Sequence, residues 1–180
     1  MNLKRSTNLM WAPWRKIYLR SSSGKRSGCL FCSLLRDKRD KRNLVLFRTA
    51  HHAVILNRYP YNNGHLMIVP MRHIACLSQL EALEKADFFE VLEKMMGALT
   101  KAMRPQGFNL GMNISDVAGA GIPNHMHWHI VPRWKGDVNF MPVVAGTKVI
   151  SESLESAYEV LSQVLAPKAR KGRRVRKKSQ

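Results

Sequence analysis

The stretch NHMHWHIVPRW, residues 124–134, most constrains what this chain can fold into. Three histidines occupy every second position, with apolar residues between them: His125, His127 and His129. Successive side chains of a β-strand point to opposite faces, whereas a helix would scatter the histidines around its circumference. The alternation therefore predicts a strand over 125–131, with an apolar row in the core and a histidine row lining a cleft.

The rest of the pattern predicts an α+β domain. Short β-rich runs predict four further strands, over 44–48, 53–57, 65–70 and 108–114. Apolar residues at helical spacing predict a long helix and a last helix, over 79–103 and 151–165. The charged segment 36–43, which precedes the first predicted strand, is typical of a loop or a frayed helical turn. This order favours a mostly antiparallel, five-stranded sheet with helices packed on it.

The net charge of +18 is unevenly distributed along the 180 residues. Residues 1–50 have 13 Lys or Arg against two acidic residues, residues 51–167 are nearly neutral, and residues 168–180 have eight basic residues and no acidic one. We expect an N-terminal extension over 1–28, one folded domain over 29–167 and a basic, disordered tail over 168–180. The basic ends allow weak, non-specific nucleic-acid binding that depends on salt.

Composition also bears on the compartment. No stretch approaches the ~20 apolar residues of a membrane span, and the start has no apolar signal-peptide core. The first 36 residues have no acidic residue, as in mitochondrial transit peptides, but the aromatic WAPWRKIYL argues against that interpretation. Three cysteines do not make a secreted disulfide framework, so we predict a cytoplasmic protein.

The pair Cys29 and Cys32 has the spacing of a zinc knuckle. Taken alone, this spacing fits two half-buried loop cysteines equally well, and the histidines are the obvious source of further ligands. Cys76 has no partner at a useful spacing, which predicts a small core residue.

The histidine row and the preceding Gly-rich loop, 116–124, point to phosphorus chemistry. Backbone N–H groups of such a loop can cradle phosphate oxygens. One imidazole can attack phosphorus while a second donates hydrogen bonds to the transferring group. Phosphoryl or nucleotidyl transfer through a covalent histidine is therefore favoured over a three-histidine zinc site, which would need other ligands.

The motif HMHWHIV resembles the His-φ-His-φ-His-φ-φ signature of the histidine triad proteins, which are nucleotidyl hydrolases and transferases. The resemblance extends through LNRYPYNNGHLMIVP, GFNLGMN and AGAGIPN, over residues 29–150. The segments WAPWRKIYL and PRWKGDVNFMPV resemble the branch of bacterial diadenosine tetraphosphate phosphorylases and their hydrolase-like relatives. The resemblance implies an α+β fold whose sheet is extended across a homodimer.

The resemblance also implies roles for individual residues. His127 corresponds to the nucleophile, His129 to the histidine that contacts phosphate, and His65 to one that supports the triad. Asn57 corresponds to a ribose-binding residue and Asn113 to an amide near the α-phosphate.

In members that bind zinc, the resemblance places the structural metal on four residues: Cys29, Cys32, His73 and His125. The family's usual Gln-Ser or Gln-Thr before the triad is absent here, since AGAGIPN stands in its place. We expect backbone N–H groups to replace that hydroxyl, at Gly119, Gly121 and Ile122.

The function implied is cleavage of a dinucleoside polyphosphate through a nucleotidyl-histidine intermediate, with water or phosphate as acceptor. Two alternatives stay open at this point. One is a nucleoside phosphoramidate hydrolase. The other is a nucleotide-sensing module that binds nucleic acid through the cationic ends.

Overall fold

The structure, a computed structural model, describes residues 28–137 and 150–167. The predicted basic tail and nearly all of the predicted N-terminal extension lie outside the described residues, so both domain boundaries stay predictions. Among the helices that are described, none combines the length and the apolar character needed to cross a membrane.

Five strands form one antiparallel sheet in the order β1-β2-β3-β5-β4, which confirms the predicted sheet. Their bounds are Val45–Arg48, His52–Leu56, Leu66–Pro70, Gly107–Gly111 and Trp128–Arg133 for β1 to β5. The turn between β2 and β3 approaches the end of the long helix closely. At Gly64, φ is +67°, a left-handed conformation that favours glycine, and an added Cβ would also lie 2.6 Å from Sδ at the flexible end of Met103.

Within residues 28–137 and 150–167, four α-helices and a short 3-10 turn, Leu77–Gln79, accompany the sheet. The helices are α1 Leu30–Arg36, α2 Asp40–Asn43, α3 Ala82–Met103 and α4 Leu154–Leu165. Helix α2 is the predicted helical turn, whereas α1 was not predicted because it is too short for a helical period to show. Both long helices begin later than predicted, because Glu81 and Ser153 act as their N-caps.

The two faces of the sheet have different coverings. Helices α3 and α4 pack on one face and bury a core that includes Val91, Met95, Leu99 and Leu161. Trp128 and Ile130 of the apolar row join this core, as predicted. Helix α1 lies on the histidine face, where the Phe31 ring contacts the rings of His125 and His127.

The histidine strand begins later than predicted, at Trp128 instead of His125. Its partner β3 ends at Pro70, and the Met126 N–H donates to Ile74 O beyond that end. Met126 and Ile130 are buried among apolar residues, but the three histidines are buried as well, so burial does not alternate along this segment. The strand predicted over 108–114 likewise ends early, at Gly111.

The expectation that Cys76 is a core residue is wrong, because the side chain is exposed. Cys76 precedes the 3-10 turn as its N-cap, a position at the surface where the chain reverses before α3.

Glu84 joins the first turn of α3 to the segment after β3. Its carboxylate is 2% exposed and accepts two hydrogen bonds of 2.7 Å, from Arg72 Nε and Nη2. It also accepts a hydrogen bond of 2.8 Å from the Glu81 N–H, which completes a capping box. The paired Arg72 guanidinium holds the pKa of Glu84 near 2, below its ordinary value of 4.5.

We expect Glu84→Ala to lower the free energy of unfolding by about 2 kcal/mol, less than for a fully buried pair because Arg72 is half-exposed. Because the folded pKa lies below the unfolded one, this stabilisation is present above pH 4.5 and is lost as the pH falls towards 2. Urea titrations of wild type and variant at neutral and acidic pH measure both effects. A variant whose deficit stays constant down to acidic pH would contradict the ion-pair explanation.

Candidate active site and metal centre

The three histidines of the row are all buried, with exposed fractions of 0% for His125, 5% for His127 and 9% for His129. The ring centroids of His127 and His129 lie 5.0 Å apart, edge to face. The structure therefore brings the predicted nucleophile and the predicted phosphate contact together at one place on the histidine face.

His127 is held in one tautomer by the segment that leads into β5. Its Nδ1 lies 3.0 Å from the carbonyl oxygen of His125, and since a carbonyl can only accept, Nδ1 is the protonated nitrogen. Burial lowers the pKa of His127, which favours the neutral ring. A neutral imidazole with Nδ1 protonated has its lone pair on Nε2, so this atom has the nucleophilic electron pair.

His129 is oriented by His65 through a chain of directed hydrogen bonds. The Tyr61 N–H donates to His65 Nδ1 at 3.0 Å, which leaves the proton of a neutral His65 on Nε2. That Nε2 donates to His129 Nδ1 at 2.9 Å, so a neutral His129 has its own proton on Nε2. The arrangement gives an imidazole N–H donor beside the predicted nucleophile, His127.

Of the predicted nucleotide-binding residues, Asn57 contacts His65 directly, and Asn113 is placed only by the register of β4. Asn57 Nδ2 is 3.3 Å from His65 Nδ1, and the Asn57 side-chain oxygen accepts from the Tyr59 N–H. Asn113 lies two residues beyond Gly111, which pairs with His129, and the antiparallel register directs this segment towards His127.

In the Gly-rich loop, some backbone N–H groups already donate hydrogen bonds within the loop. Gly119, at φ +87°, donates its N–H to Asp116 O at 2.7 Å. Ile122 packs against the main core. The backbone N–H groups of Gly121 and Ile122 are therefore better candidates for donors to phosphate than that of Gly119.

The four predicted metal ligands form one cluster, and their ligand atoms all lie within 4.8 Å of one another: Cys29, Cys32, His73 and His125. Cys29 Sγ is 3.3 Å from His125 Nδ1, and Cys32 Sγ is 3.3 Å from His73 Nδ1. These separations approach the ~3.6 Å edge between sulfur and nitrogen ligands around tetrahedral zinc. The donor set and its geometry therefore fit a zinc ion.

The surroundings of the cluster prepare its ligands. His125 Nε2 donates to Pro70 O at 3.0 Å, which leaves the Nδ1 lone pair facing the thiols. Burial and the neighbouring Cys29 raise the pKa of the Cys32 thiol, so a metal ion would have to displace its proton. The ligands come from the start of α1, the segment after β3 and the approach to β5.

Two residues of the site were not identified in the sequence. Phe31, between the two cysteines, lies 5.0 Å from His127 by ring centroids. The Tyr61 ring lies 4.6 Å from that of His65 and 5.6 Å from that of His129. The sequence signal for Phe31 was its position between the two cysteines of CxxC. The signal for Tyr61 was an aromatic residue in a Pro- and Asn-rich turn.

Comparison with known proteins agrees with this geometry. The HIT domain family matches residues 38–136. The AP-4-A phosphorylase of Mycobacterium tuberculosis is 36% identical over 159 residues, which cover 85% of this chain and 82% of that protein.

Solved structures show the same fold. A Zn-bound histidine triad family protein from Mycobacterium smegmatis superposes with a TM-score of 0.61 at 21% identity, over 77% of this chain and 93% of the other. A hypothetical histidine triad nucleotide-binding protein from Sulfolobus tokodaii gives 0.59 at 26% identity, over 76% and 89%. This chain is a member of the HIT family.

Proposed function

We propose that this protein is a nucleotidyltransferase that cleaves dinucleoside polyphosphates of the diadenosine tetraphosphate type through a covalent intermediate on His127. The observation that carries the proposal is the hydrogen bond of 3.0 Å from His127 Nδ1 to His125 O, which leaves Nε2 as the nucleophilic atom. The similarity to the AP-4-A phosphorylase of Mycobacterium tuberculosis supports the substrate class.

In the first step, His127 Nε2 attacks the α-phosphorus and the bond to the leaving nucleoside polyphosphate breaks. The ring becomes positively charged, and Nδ1 keeps its proton, which stays hydrogen-bonded to the His125 carbonyl. His129 donates from Nε2 to a non-bridging oxygen of the transferring group, where negative charge has to be stabilised. An acceptor oxygen then attacks phosphorus on the opposite side and releases His127.

The acceptor decides the product. Water releases a nucleoside monophosphate, whereas inorganic phosphate releases a nucleoside diphosphate. The similarity to a phosphorylase favours phosphate. In the same proposal, Asn57 binds the ribose, Asn113 lies near the α-phosphate, and the N–H groups of Gly121 and Ile122 receive phosphate oxygens.

We also propose that the four-residue cluster of two cysteines and two histidines holds a zinc ion with a structural role. Four protein ligands complete a tetrahedral sphere and leave no position for water or substrate. The Zn-bound relative from Mycobacterium smegmatis supports this assignment. The chain's own residues then perform the phosphorus chemistry.

We further propose a homodimer, in which the sheet continues across β4. This strand forms one edge of the sheet, and Leu110 on it is 50% exposed; Ile114 and Val117 just beyond it are 53% and 93% exposed. An exposed apolar edge strand is a surface on which a second copy can add its own strand. The cytoplasm is the compartment we propose, on the sequence grounds given above.

His127→Ala should lower turnover of diadenosine tetraphosphate by about a thousandfold or more, because it removes the atom that is proposed to form the covalent bond to phosphorus. His51→Ala is the matched control, since His51 lies at the turn between β1 and β2 and should leave turnover unchanged. Mass spectrometry of quenched wild-type reactions should find a nucleotidylated peptide containing His127. Reactions with and without phosphate identify the acceptor from the diphosphate or monophosphate product. Near wild-type turnover in the alanine variant would refute the covalent mechanism.

Cys32→Ser should lose bound zinc and lower the Tm by roughly 10 °C, because the cluster ties α1 to two distant segments. We expect turnover per folded molecule to fall less than stability does. Cys76→Ser, an exposed cysteine outside the cluster, should retain both zinc and Tm. Elemental analysis and thermal denaturation measure the two effects, and wild-type protein without zinc would rule out the assignment.

Leu110→Asp should convert the dimer to a monomer, because it places a charge in the proposed strand contact. Leu83→Asp on α3 replaces a still more exposed leucine, at 70%, and should leave the mass unchanged. Light scattering after size-exclusion chromatography gives the mass of each variant. A dimer that survives Leu110→Asp does not use this edge.

A further inference from the structure

Asp137 is the centre of a hydrogen-bonded cluster just after β5. Its side chain is 8% exposed and forms a two-pronged ion pair with Arg133, with Nε–Oδ2 and Nη2–Oδ1 distances of 2.6 and 2.9 Å. It also accepts from the Trp134 N–H at 3.1 Å and from Asn62 Nδ2 at 2.7 Å. The Arg133 guanidinium holds the pKa of Asp137 near 2, so the carboxylate is charged at neutral pH.

Asn62 connects this cluster to the loop between β2 and β3. Its Nδ2 donates both to Asp137 and to Pro132 O, the latter at 3.1 Å, so the side chain spans from the loop to β5. Its backbone oxygen accepts from the His65 N–H at 3.2 Å. The amide of Asn62 therefore fixes the position of the loop relative to the strand that contains His129.

The same loop contains the two groups that set the tautomers of the histidine pair. The Tyr61 N–H and Asn57 Nδ2 both donate to His65 Nδ1, at 3.0 and 3.3 Å, which leaves His65 Nε2 as the donor to His129. If the loop shifted, His65 could take up a proton on Nδ1, and His129 would lose the donor that selects its own tautomer. The direction of the His129 N–H thus depends on where the loop is held.

We propose that Asn62 and Asp137 are positioning residues for the transfer step, because they hold the loop in the place where Tyr61 and His65 keep the His129 proton on Nε2. This inference rests on the proposed role of His129 as a donor to the phosphoryl group. Neither residue touches the triad, so their effect has to pass through the loop backbone and His65.

A purely structural role would give a different result. Arg133 also donates to the Asn109 side chain of β4 at 2.6 Å, so the cluster contributes to the end of the sheet as well. If that were its whole contribution, removing it would lower stability while the imidazole tautomers of the folded protein stayed the same.

Nitrogen-15 NMR of the imidazole groups separates the two cases directly. In full-length wild type we expect His129 to be neutral with its proton on Nε2. In Asn62→Ala and Asp137→Ala we expect a mixture of tautomers at His129 and a kcat at least about tenfold lower, with KM changed less. Asp137→Asn keeps an oxygen that can accept from Asn62 and should retain most of the wild-type tautomer and rate.

Asn63→Ala is the matched control, since Asn63 is in the same loop but donates to Ser151 Oγ instead of to Asp137. Its His129 tautomer should be that of wild type. A single Nε2–H tautomer at His129 in Asn62→Ala would overturn the inference, whatever the rate. Asn62→Ala keeps the Arg133–Asp137 ion pair and so carries the test if Asp137→Ala fails to fold. If wild type lacks the expected activity while the two alanine variants still change the His129 tautomer, the proposed function is refuted. The positioning of the His129 tautomer by Asn62 and Asp137 would then still stand.

Discussion

The hydrogen bond between His127 Nδ1 and the carbonyl of His125 is the contact on which the rest of the site depends. His125 meets three parts of the molecule at once. Its Nδ1 faces the thiols, its Nε2 donates to the end of β3 at Pro70, and its carbonyl selects the tautomer of His127, the proposed nucleophile. The metal cluster and the proposed nucleophile are therefore two positions apart in sequence and joined by one hydrogen bond. A structural zinc ion can in this way serve catalysis without contacting substrate.

The three alternating histidines have separate tasks because each one interacts with a different partner. His125 interacts with the cluster, His127 with the backbone carbonyl of His125, and His129 with His65, which immediately precedes β3. The alternating sequence brings the three histidines together, but the partners decide which ring nitrogen each presents. Sequence spacing alone could not assign these tasks. They were assigned through the resemblance to a known family.

The fold was largely predictable because its strands have short, strong signals. The five strands and the long helix follow from periodicity, and Pro70, Pro105 and the Gly-rich loop mark their ends. Helix α1 was missed since a seven-residue helix shows only two buried positions, Phe31 and Leu35. Cys76 was misplaced because a cysteine has no spacing signal that separates a surface turn from a core.

The parts of the site that could not be predicted are contacts between residues distant in the chain. Asn62 and Asp137 are 75 positions apart, and nothing in either local sequence indicates that they meet. The cluster ligands were recovered only because the family resemblance joined Cys29 to His125 across 96 positions. Backbone donors such as the Tyr61 N–H have no side-chain signature at all. Long-range hydrogen bonds of this kind require the folded coordinates.

Most of the net positive charge of the chain lies in segments other than those that form the site. The described residues include 14 Lys or Arg and 12 Asp or Glu, a net charge of +2, so the remaining +16 belongs to residues 1–27, 138–149 and 168–180. Within the described part, carboxylates such as Asp40, Glu84 and Asp137 are already paired with arginines. Attraction of polyanions through the cationic segments would weaken steeply with salt, whereas hydrogen bonds inside a buried histidine site are screened much less. Salt dependence of binding and salt dependence of turnover thus report on different parts of this protein.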